Sequence, residues 1–558
     1  MKEIKIKYND VPKINTIKEL IDLAVKEAGD KNAFEYKEKN KPIEVTYKEF
    51  KTDINSLGTA LMKIGMDSKH MATIGENSYK WLTTYLTALR SNGVFVPIDK
   101  ELTKNEIINV LRSSESELLF YSSKFENYIK DIKEELPQIK YFIAFDKEDD
   151  DEISLSYNKF IEMGKKEIEN GNSDFVNLEH KDTQKLKMLV YTSGTTDQAK
   201  GVMLTEHNLV SSAYYGLRVA ILYTKCLSVL PYHHTYEAVS GILVGILKHS
   251  TICINDSLKN VLKNIQYYKP DYIYLVPAFS EIFYKNIWNN ARKTKKELGL
   301  KFLIKFSNFL RLFGIDKRRE LFKSIHEAFG GNLRKIVVGG APLRADIGKF
   351  FNDIGIDLIN GYGITECSPL VSVNREEIND PRTVGVVLPC CQIKFENVNA
   401  DGDGEICVKG DIVMMGYYKD KERTERVLKD GWFNTEDYGR FNEKGLLIIN
   451  GRKKNIIVLD NGKNIYPEEI ESYILKVPYV SEVVVRGKKD ENGHEHSLMA
   501  EVFLNSEKVK ELGEENIEEI LKKDISKVTK ELPIYKHIAD VKIRDEEFKK
   551  TTTNKIKR

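Results

Sequence analysis

Apolar residues along the chain keep two rhythms. Over residues 17–65 they fall at helical spacing, with Leu20, Ile21, Leu23 and Ala24 near the start and Leu57, Ala60, Leu61 and Ile64 near the end, so this stretch reads as helical. From residue 71 the rhythm alternates. Residues 71–74 read as a strand, 81–89 as a helix and 94–98 as a strand, and the alternation continues through the apolar runs at 118–121 and 141–145. Strand–helix–strand repetition predicts a largely parallel α/β sheet. Residues 146–180 are polar and acidic and read as a surface excursion. Leu186, Met188, Leu189 and Val190 predict a short buried strand, and Val202, Met203 and Leu204 resume the apolar pattern after a polar loop. The runs at 239–247 and 272–279 read as core. Past residue 380 short apolar runs alternate with turn glycines such as Gly385, Gly402, Gly404, Gly410, Gly416 and Gly431, which predicts a small β-rich subdomain over about 380–450. A charged joint, Gly451-Arg-Lys-Lys454, follows. Strands at 483–485 and 499–504 and a helix at 517–528 then predict a small α+β domain ending in a basic tail.

Length adds that 558 residues exceed one ordinary core, so roughly three or four domain-sized units are expected. Lys and Arg number 86 against 84 Asp and Glu, a net charge of +2, which does not imply a nucleic-acid partner. The six cysteines (Cys226, Cys253, Cys367, Cys390, Cys391, Cys407) show neither C-x-x-C nor zinc spacing and suit a reducing cytoplasm. The opening Met1-Lys-Glu-Ile-Lys-Ile-Lys-Tyr8 has no uninterrupted apolar stretch, so no secretory signal is expected, and no apolar run approaches the ~20 residues that span a bilayer. One local imbalance stands out. Residues 292–323 hold eleven Lys/Arg against Glu297, Asp316 and Glu320, interleaved with Phe302, Phe306, Phe309 and Phe313 among other apolar residues. A core-packed helix with a solvated basic face would explain it, and so would a peripheral membrane contact that admits an apolar substrate.

Candidate chemistry gathers in four stretches. Tyr191-Thr-Ser-Gly-Thr-Thr-Asp-Gln-Ala-Lys-Gly201 places four Ser/Thr hydroxyls, two glycines and a lysine between apolar runs. Glycines admit close backbone N–H groups, hydroxyls donate, and the lysine adds a point charge, which together can hold a phosphate chain. It is not a Walker A loop, and by itself it could be a polar surface loop. In Asn360-Gly-Tyr-Gly-Ile-Thr-Glu366 the Tyr362 ring can stack on a purine, Thr365 can donate to a phosphate and Glu366 is a hard oxygen ligand suited to Mg²⁺. Gly339-Gly-Ala-Pro-Leu343, after the apolar run 335–338, leaves room for a flat base; either segment alone could be a structural turn. Asp437, in Gly431-Trp-Phe-Asn-Thr-Glu-Asp437, and Arg452 can together grip vicinal ribose hydroxyls. The tail Thr551-Thr-Thr-Asn-Lys-Ile-Lys-Arg558 would by itself be a solvated basic terminus.

In this order the stretches resemble the adenylate-forming superfamily of acyl-CoA synthetases, peptide-synthetase adenylation domains and beetle luciferases. Further matching pieces are Gly75-Glu-Asn-Ser-Tyr79, Val96-Pro-Ile-Asp99, Leu230-Pro-Tyr-His-His-Thr-Tyr-Glu237, Gly404-Glu-Ile-Cys-Val-Lys-Gly410 and Gly462-Lys-Asn-Ile-Tyr-Pro-Glu-Glu-Ile-Glu471. The His-His-Thr-Tyr-Glu version, the long helical 284–330 segment and the Thr-Thr-Thr-Asn-Lys-Ile-Lys-Arg ending look like the long-chain acyl-CoA synthetase branch. Asp197 and Glu436 stand where that family usually has Gly, Ala199 where it has Pro, and Glu206 where His is commoner.

The resemblance implies an α/β fold with a large N-terminal AMP-binding domain of several subdomains over 1–450, a hinge at 451–454 centred on Lys454, and a small mobile α+β domain over 455–558. It implies a ligase that uses ATP, Mg²⁺ and coenzyme A to convert a medium- or long-chain fatty acid into its thioester through an acyl-adenylate. An acyl-carrier-protein acceptor, a shorter or aromatic acid, and a catalytically dead nucleotide sensor remain alternatives. By resemblance Thr192, Ser193, Gly194, Thr195, Thr196 and Lys200 wrap the β- and γ-phosphates, and Thr365 meets the α-phosphate. Glu366 holds Mg²⁺, while Gly340, Asn360 and Tyr362 frame the adenine. Asp437 and Arg452 hold the ribose, His234 gates the acyl pocket, and Lys555 reaches the carboxylate and α-phosphate.

Overall fold

The computed structural model describes residues 6–192, 199–459, 464–489, 495–510, 516–550, 556 and 558. The chain divides into two compact units: Ile4–Gln392 with Val408–Phe433, and Ile393–Cys407 with Asn434–Arg558.

The first unit is built on two sheets. In one, the strands run in the order Gly416–Tyr417, Lys200–Thr205, Leu186–Thr192, Val94–Ile98, His70–Ile74, Leu118–Tyr121, Tyr141–Ala144 and Leu155–Ser156. Pairing from Leu186–Thr192 through Leu155–Ser156 is parallel, whereas Lys200–Thr205 lies antiparallel to both of its neighbours. Val94–Ile98 and Leu118–Tyr121 are buried at every position, as parallel strands covered on both faces must be. The other sheet runs Val386–Val387, Leu370–Val373, Asp357–Gly363, Lys335–Val338, Tyr272–Leu275, Lys225–Ser228, Thr251–Ile254, Asn32–Glu38 and Lys41–Thr46. Its middle six strands are parallel, flanked by antiparallel edges.

A further sheet runs in the order Cys391–Glu396, Gly404–Gly410 and Trp432–Phe441, with Leu447–Arg452 also paired to Trp432–Phe441. The second unit holds a three-stranded sheet of Val480–Lys489, Glu495–Leu504 and Ile538–Arg544. The helices Pro467–Ile474 and Ile517–Thr529 share a core with that sheet through Ile470, Ile474, Leu521, Ile525, Val483 and Val502.

Two readings of the sequence need correction. Residues 17–65 are not helical throughout. The helices Ile17–Ala28 and Tyr47–Lys63 enclose a hairpin, Asn32–Glu38 with Lys41–Thr46. Lys39 and Asn40 turn it with φ of 49° and 65°, the left-handed pair that suits the twist of two adjoining strands. Residues 146–180 are more than a surface excursion. Within them the helix Tyr157–Glu169 buries Tyr157, Phe160 and Gly164, and Phe175 is fully buried. Gly164 makes this possible, because a Cβ there would lie 1.8 Å from the Ser56 carbonyl oxygen of the neighbouring helix. Among the described residues no helix is long and apolar enough to cross a membrane.

Candidate active site

In a parallel sheet the carboxyl ends of the strands open toward ligands. Three loops in the first unit leave such ends on one sheet. Lys225–Ser228 leads to His234, Lys335–Val338 to Gly340, and Asp357–Gly363 to Thr365 and Glu366. Lys335–Val338 and Asp357–Gly363 are neighbours in register, with Val338 opposite Asn360.

Gly340 adopts φ 80°, the left-handed region where a side chain is strained. Beneath this turn the Tyr236 hydroxyl donates to the Val337 carbonyl at 3.1 Å, and a Cβ on Gly339 would meet the Tyr236 ring at 3.3 Å. Asn360 is buried, and its Nδ2 donates to the Thr383 carbonyl at 3.1 Å. Tyr362 is half-buried and sits opposite Ser372 in the antiparallel edge pairing. Gly363 cannot carry a side chain, since a Cβ would fall 2.4 Å from the Pro369 carbonyl oxygen.

Glu366, in the one-turn helix Thr365–Cys367, is 2% exposed. Its Oε1 accepts from Lys200 Nζ at 2.6 Å and from the Tyr417 hydroxyl at 2.9 Å. Lys200 Nζ also donates to the Tyr417 oxygen at 2.9 Å. The candidate loop lysine and the candidate turn carboxylate are therefore in direct contact, bridged by a tyrosine that the sequence reading did not name. Tyr417 comes from the edge strand Gly416–Tyr417, where a Cβ on Gly416 would strike Thr424 at 2.6 Å. A Gly–Tyr pair after the apolar Val413-Met-Met415 was the available signal.

The ends of the candidate phosphate loop are held by the hairpin register Thr192↔Lys200 and Tyr191↔Gly201. Among the described residues, buried Thr192 Oγ1 has no hydrogen-bond partner. Ser193, Gly194, Thr195, Thr196 and Asp197 lie outside the described residues, as does Lys555.

His234 is half-buried, with its ring centroid 4.1 Å from that of His233. It leads into the π-helix Tyr236–Leu243, whose Glu237 is fully buried. Glu237 Oε1 accepts from the Ser228 hydroxyl, while Oε2 has no partner among the described residues. Burial pushes this carboxyl up to about 8.

In the second unit Asp437 and Arg452 face each other across paired strands, with Arg452 Nε 3.2 Å from Asp437 Oδ1. Asp437 is buried, and its N–H donates to Thr435 Oγ1 at 3.1 Å. Glu436 adopts φ 58°, so this position demands the left-handed region and glycine would sit there without strain. Lys454 is exposed in the turn Lys453–Asn455, directly after Leu447–Arg452. The final residue, Arg558, is anchored to this unit by Glu471 Oε2 at 2.5 Å and Glu468 Oε1 at 3.5 Å.

Comparison with known proteins gives matches over nearly the whole chain. The family profile of AMP-binding enzymes matches residues 21–418, and that of the AMP-binding enzyme C-terminal domain matches 469–555. Long-chain-fatty-acid–CoA ligase 5 of Rattus norvegicus is 29% identical over 490 residues, covering 81% of this chain and 70% of the relative. A chloroplastic long-chain-fatty-acid–[acyl-carrier-protein] ligase of Arabidopsis thaliana is 26% identical over 560 residues, covering 86% and 75%. Among solved structures, the adenylation domain of a carboxylate reductase from Mycobacterium chelonae superposes with a TM-score of 0.79 at 18% identity, over 100% of this chain and 89% of that one. That likeness shows the fold, an α/β architecture with a separate small C-terminal domain.

Proposed function

Because the chain belongs to the AMP-binding enzyme family, we propose that it is an AMP-forming ligase that activates a medium- or long-chain fatty acid and passes the acyl group to coenzyme A. The observation that carries the reading is the contact of Lys200 with buried Glu366 beside the carboxyl ends of parallel strands. It joins the lysine of a hydroxyl-rich loop to the acid of a Gly-Tyr-Gly turn, a pairing of charges suited to a polyphosphate. The names of the long-chain relatives support the acid class.

In the first half-reaction a carboxylate oxygen of the acid attacks the α-phosphorus of ATP. The bond to the bridging oxygen breaks and pyrophosphate departs. Charge builds on the phosphoryl oxygens, so positioned donors and cations supply the catalysis. Thr192, Ser193, Gly194, Thr195, Thr196 and Lys200 are assigned to the β- and γ-phosphates, and Thr365 to the α-phosphate. Gly340, Asn360 and Tyr362 are assigned to the adenine, and Asp437 and Arg452 to the ribose. Lys555 is assigned to the reacting carboxylate and α-phosphate. In the second half the thiol sulfur attacks the acyl carbon and AMP leaves. Lys454 is assigned as the hinge between the halves, and His234 as the gate to the acyl site.

A magnesium ion fits Glu366. The carboxylate is buried and already holds a cation, and no cluster of three His, Cys, Asp or Glu exists among the described residues to form an all-protein cage. Mg²⁺ characteristically takes one or two carboxylates and completes its shell with phosphate and water. When bound it would neutralise phosphate charge.

Pyrophosphate release measured over acids of graded chain length, with coenzyme A or holo-acyl-carrier protein as acceptor, tests the reading. Release that peaks at long chains and yields acyl-CoA supports it. Turnover only with aromatic or short acids, or only with the carrier protein, would replace the substrate or acceptor. No release with any acid would remove the ligase reading.

A further inference from the structure

The helix Glu297–Leu312 is apolar on two opposite sides. Its inward side is spaced i, i+3, i+4, i+7: Leu300 and Ser307 are buried, and Leu303 and Ile304 pack against the core under the larger sheet. Its outward side repeats at four, four, three and four residues through Leu298, Phe302, Phe306, Phe309 and Phe313, also one helical face. Those five are 81%, 66%, 40%, 54% and 67% exposed, and adjoining Leu312 is 81% exposed. The aromatic rings contact one another, Phe302 with Phe306 at 6.1 Å and Phe309 with Phe313 at 5.1 Å between centroids. A contiguous apolar face of this kind on a surface helix marks an interaction site.

Charge identifies the occupant. The three acids of the segment are paired within it: Glu297 with Lys301 and Arg292, Asp316 with Arg318, and Glu320 with Lys317. Lys293, Lys295, Lys296, Lys305 and Arg311 are exposed and make no ion pair among the described residues. Lys305 borders the aromatic face, where its stem can lie along it and its ammonium group reach outward. A second copy docked symmetrically on this face would bring one uncompensated basic rim against an identical one. An aromatic face within a basic rim suits an anionic lipid surface, the rim meeting headgroup phosphates and the rings entering the acyl boundary.

We propose that Glu297–Leu312 is an interfacial docking helix that seats the protein on an anionic bilayer. The proposal does not depend on which acid the ligase takes, because it is read by lipid binding alone.

The test is flotation of the full chain with vesicles of phosphatidylglycerol and phosphatidylcholine, against vesicles of phosphatidylcholine only. Binding is expected to the anionic vesicles and to fall at high salt. The double substitution Phe302→Ser with Phe309→Ser should weaken partitioning about tenfold or more. Lys295→Glu with Lys305→Glu should weaken it about 25-fold or more, at about fivefold for each positive charge lost near the surface. Neither variant should change the thermal unfolding midpoint, because all four side chains are exposed. As a second measurement, Phe302→Trp should gain blue-shifted emission, beyond that of the parent chain, on adding anionic vesicles. Failure to float, flotation indifferent to both variants, or a self-association seen by sedimentation velocity and abolished by the Phe variant would each overturn the proposal, the last by assigning the face to a second copy.

Discussion

Glu366 and Lys200 are 166 positions apart in sequence and 2.6 Å apart in space. At 2% exposure the Glu366 Oε1 accepts from both the Lys200 ammonium and the Tyr417 hydroxyl. Glu366→Gln keeps the shape and removes the charge, so the loss should fall on ATP use rather than folding. Pyrophosphate release is expected to drop about 10²–10³-fold, the size found for removing one preorganised electrostatic group, with little change in the unfolding midpoint. Wild-type-like turnover would count against the assigned role. Glu436 gives the opposite kind of prediction. Its φ of 58° is strained for a residue with a Cβ, so Glu436→Gly should stabilise the chain by about 0.5–1 kcal/mol, read as a higher urea midpoint. Glu237 carries a pH signature. Its carboxyl is pushed by burial from the ordinary 4.5 to about 8. Across that window the folded state holds a proton that the unfolded state releases, so stability falls as pH rises, by up to about 1.4 kcal/mol per unit, and levels off above the folded value. Urea titrations of wild type and Glu237→Gln should differ in this slope, the variant being flatter.

At the scale of elements, sequence rhythm marked the parallel strands well, because strands buried on both faces show unbroken apolar runs such as Val94–Ile98 and Leu118–Tyr121. It failed where an element is half-polar. Asn32–Glu38 alternates Phe34 and Tyr36 with Glu35 and Lys37, and its Lys39–Asn40 turn lacks the usual glycine, so flanking helical periodicity masked it. Tyr157–Glu169 was hidden in an acidic stretch because its packing depends on the small size of Gly164 more than on apolar bulk. That contact is testable. With a Cβ 1.8 Å from the Ser56 oxygen, Gly164→Val must push Tyr157–Glu169 away from Tyr47–Lys63, and about 2–3 kcal/mol of destabilisation is expected by denaturant unfolding. An unchanged midpoint would mean that the two helices tolerate separation. The site shows the same division. Motif residues with distinctive neighbours, such as Tyr362 between glycines, could be picked from sequence. Tyr417 offers a weaker signal, a Gly–Tyr pair after an apolar run, and nothing in that stretch says that it reaches Lys200 and Glu366.

The whole molecule poses a problem that neither a residue nor an element resolves. The two half-reactions ask opposite things of one acyl carbon. Adenylation brings a carboxylate up to a triphosphate and needs added positive charge, whereas thioester formation needs a path for a thiol to reach the same carbon. A short charged turn at Lys453–Asn455 that changes its backbone angles would give the chain a means of alternating. Lys555 belongs to the first task in this scheme. Lys555→Ala should lower adenylate formation by at least about 10²-fold, the effect of losing a single directed charge, yet leave the conversion of supplied acyl-AMP and coenzyme A near wild type. Lys454→Pro should do the reverse, since a pyrrolidine ring fixes φ and resists the angle change while leaving every assigned phosphate contact in place. Measured separately, pyrophosphate release and thioester formation from acyl-AMP would then separate in opposite directions in the two variants. If each substitution depressed the two halves equally, the units would be acting as one fixed site, and the alternation would have to be abandoned even with the ligase reading intact.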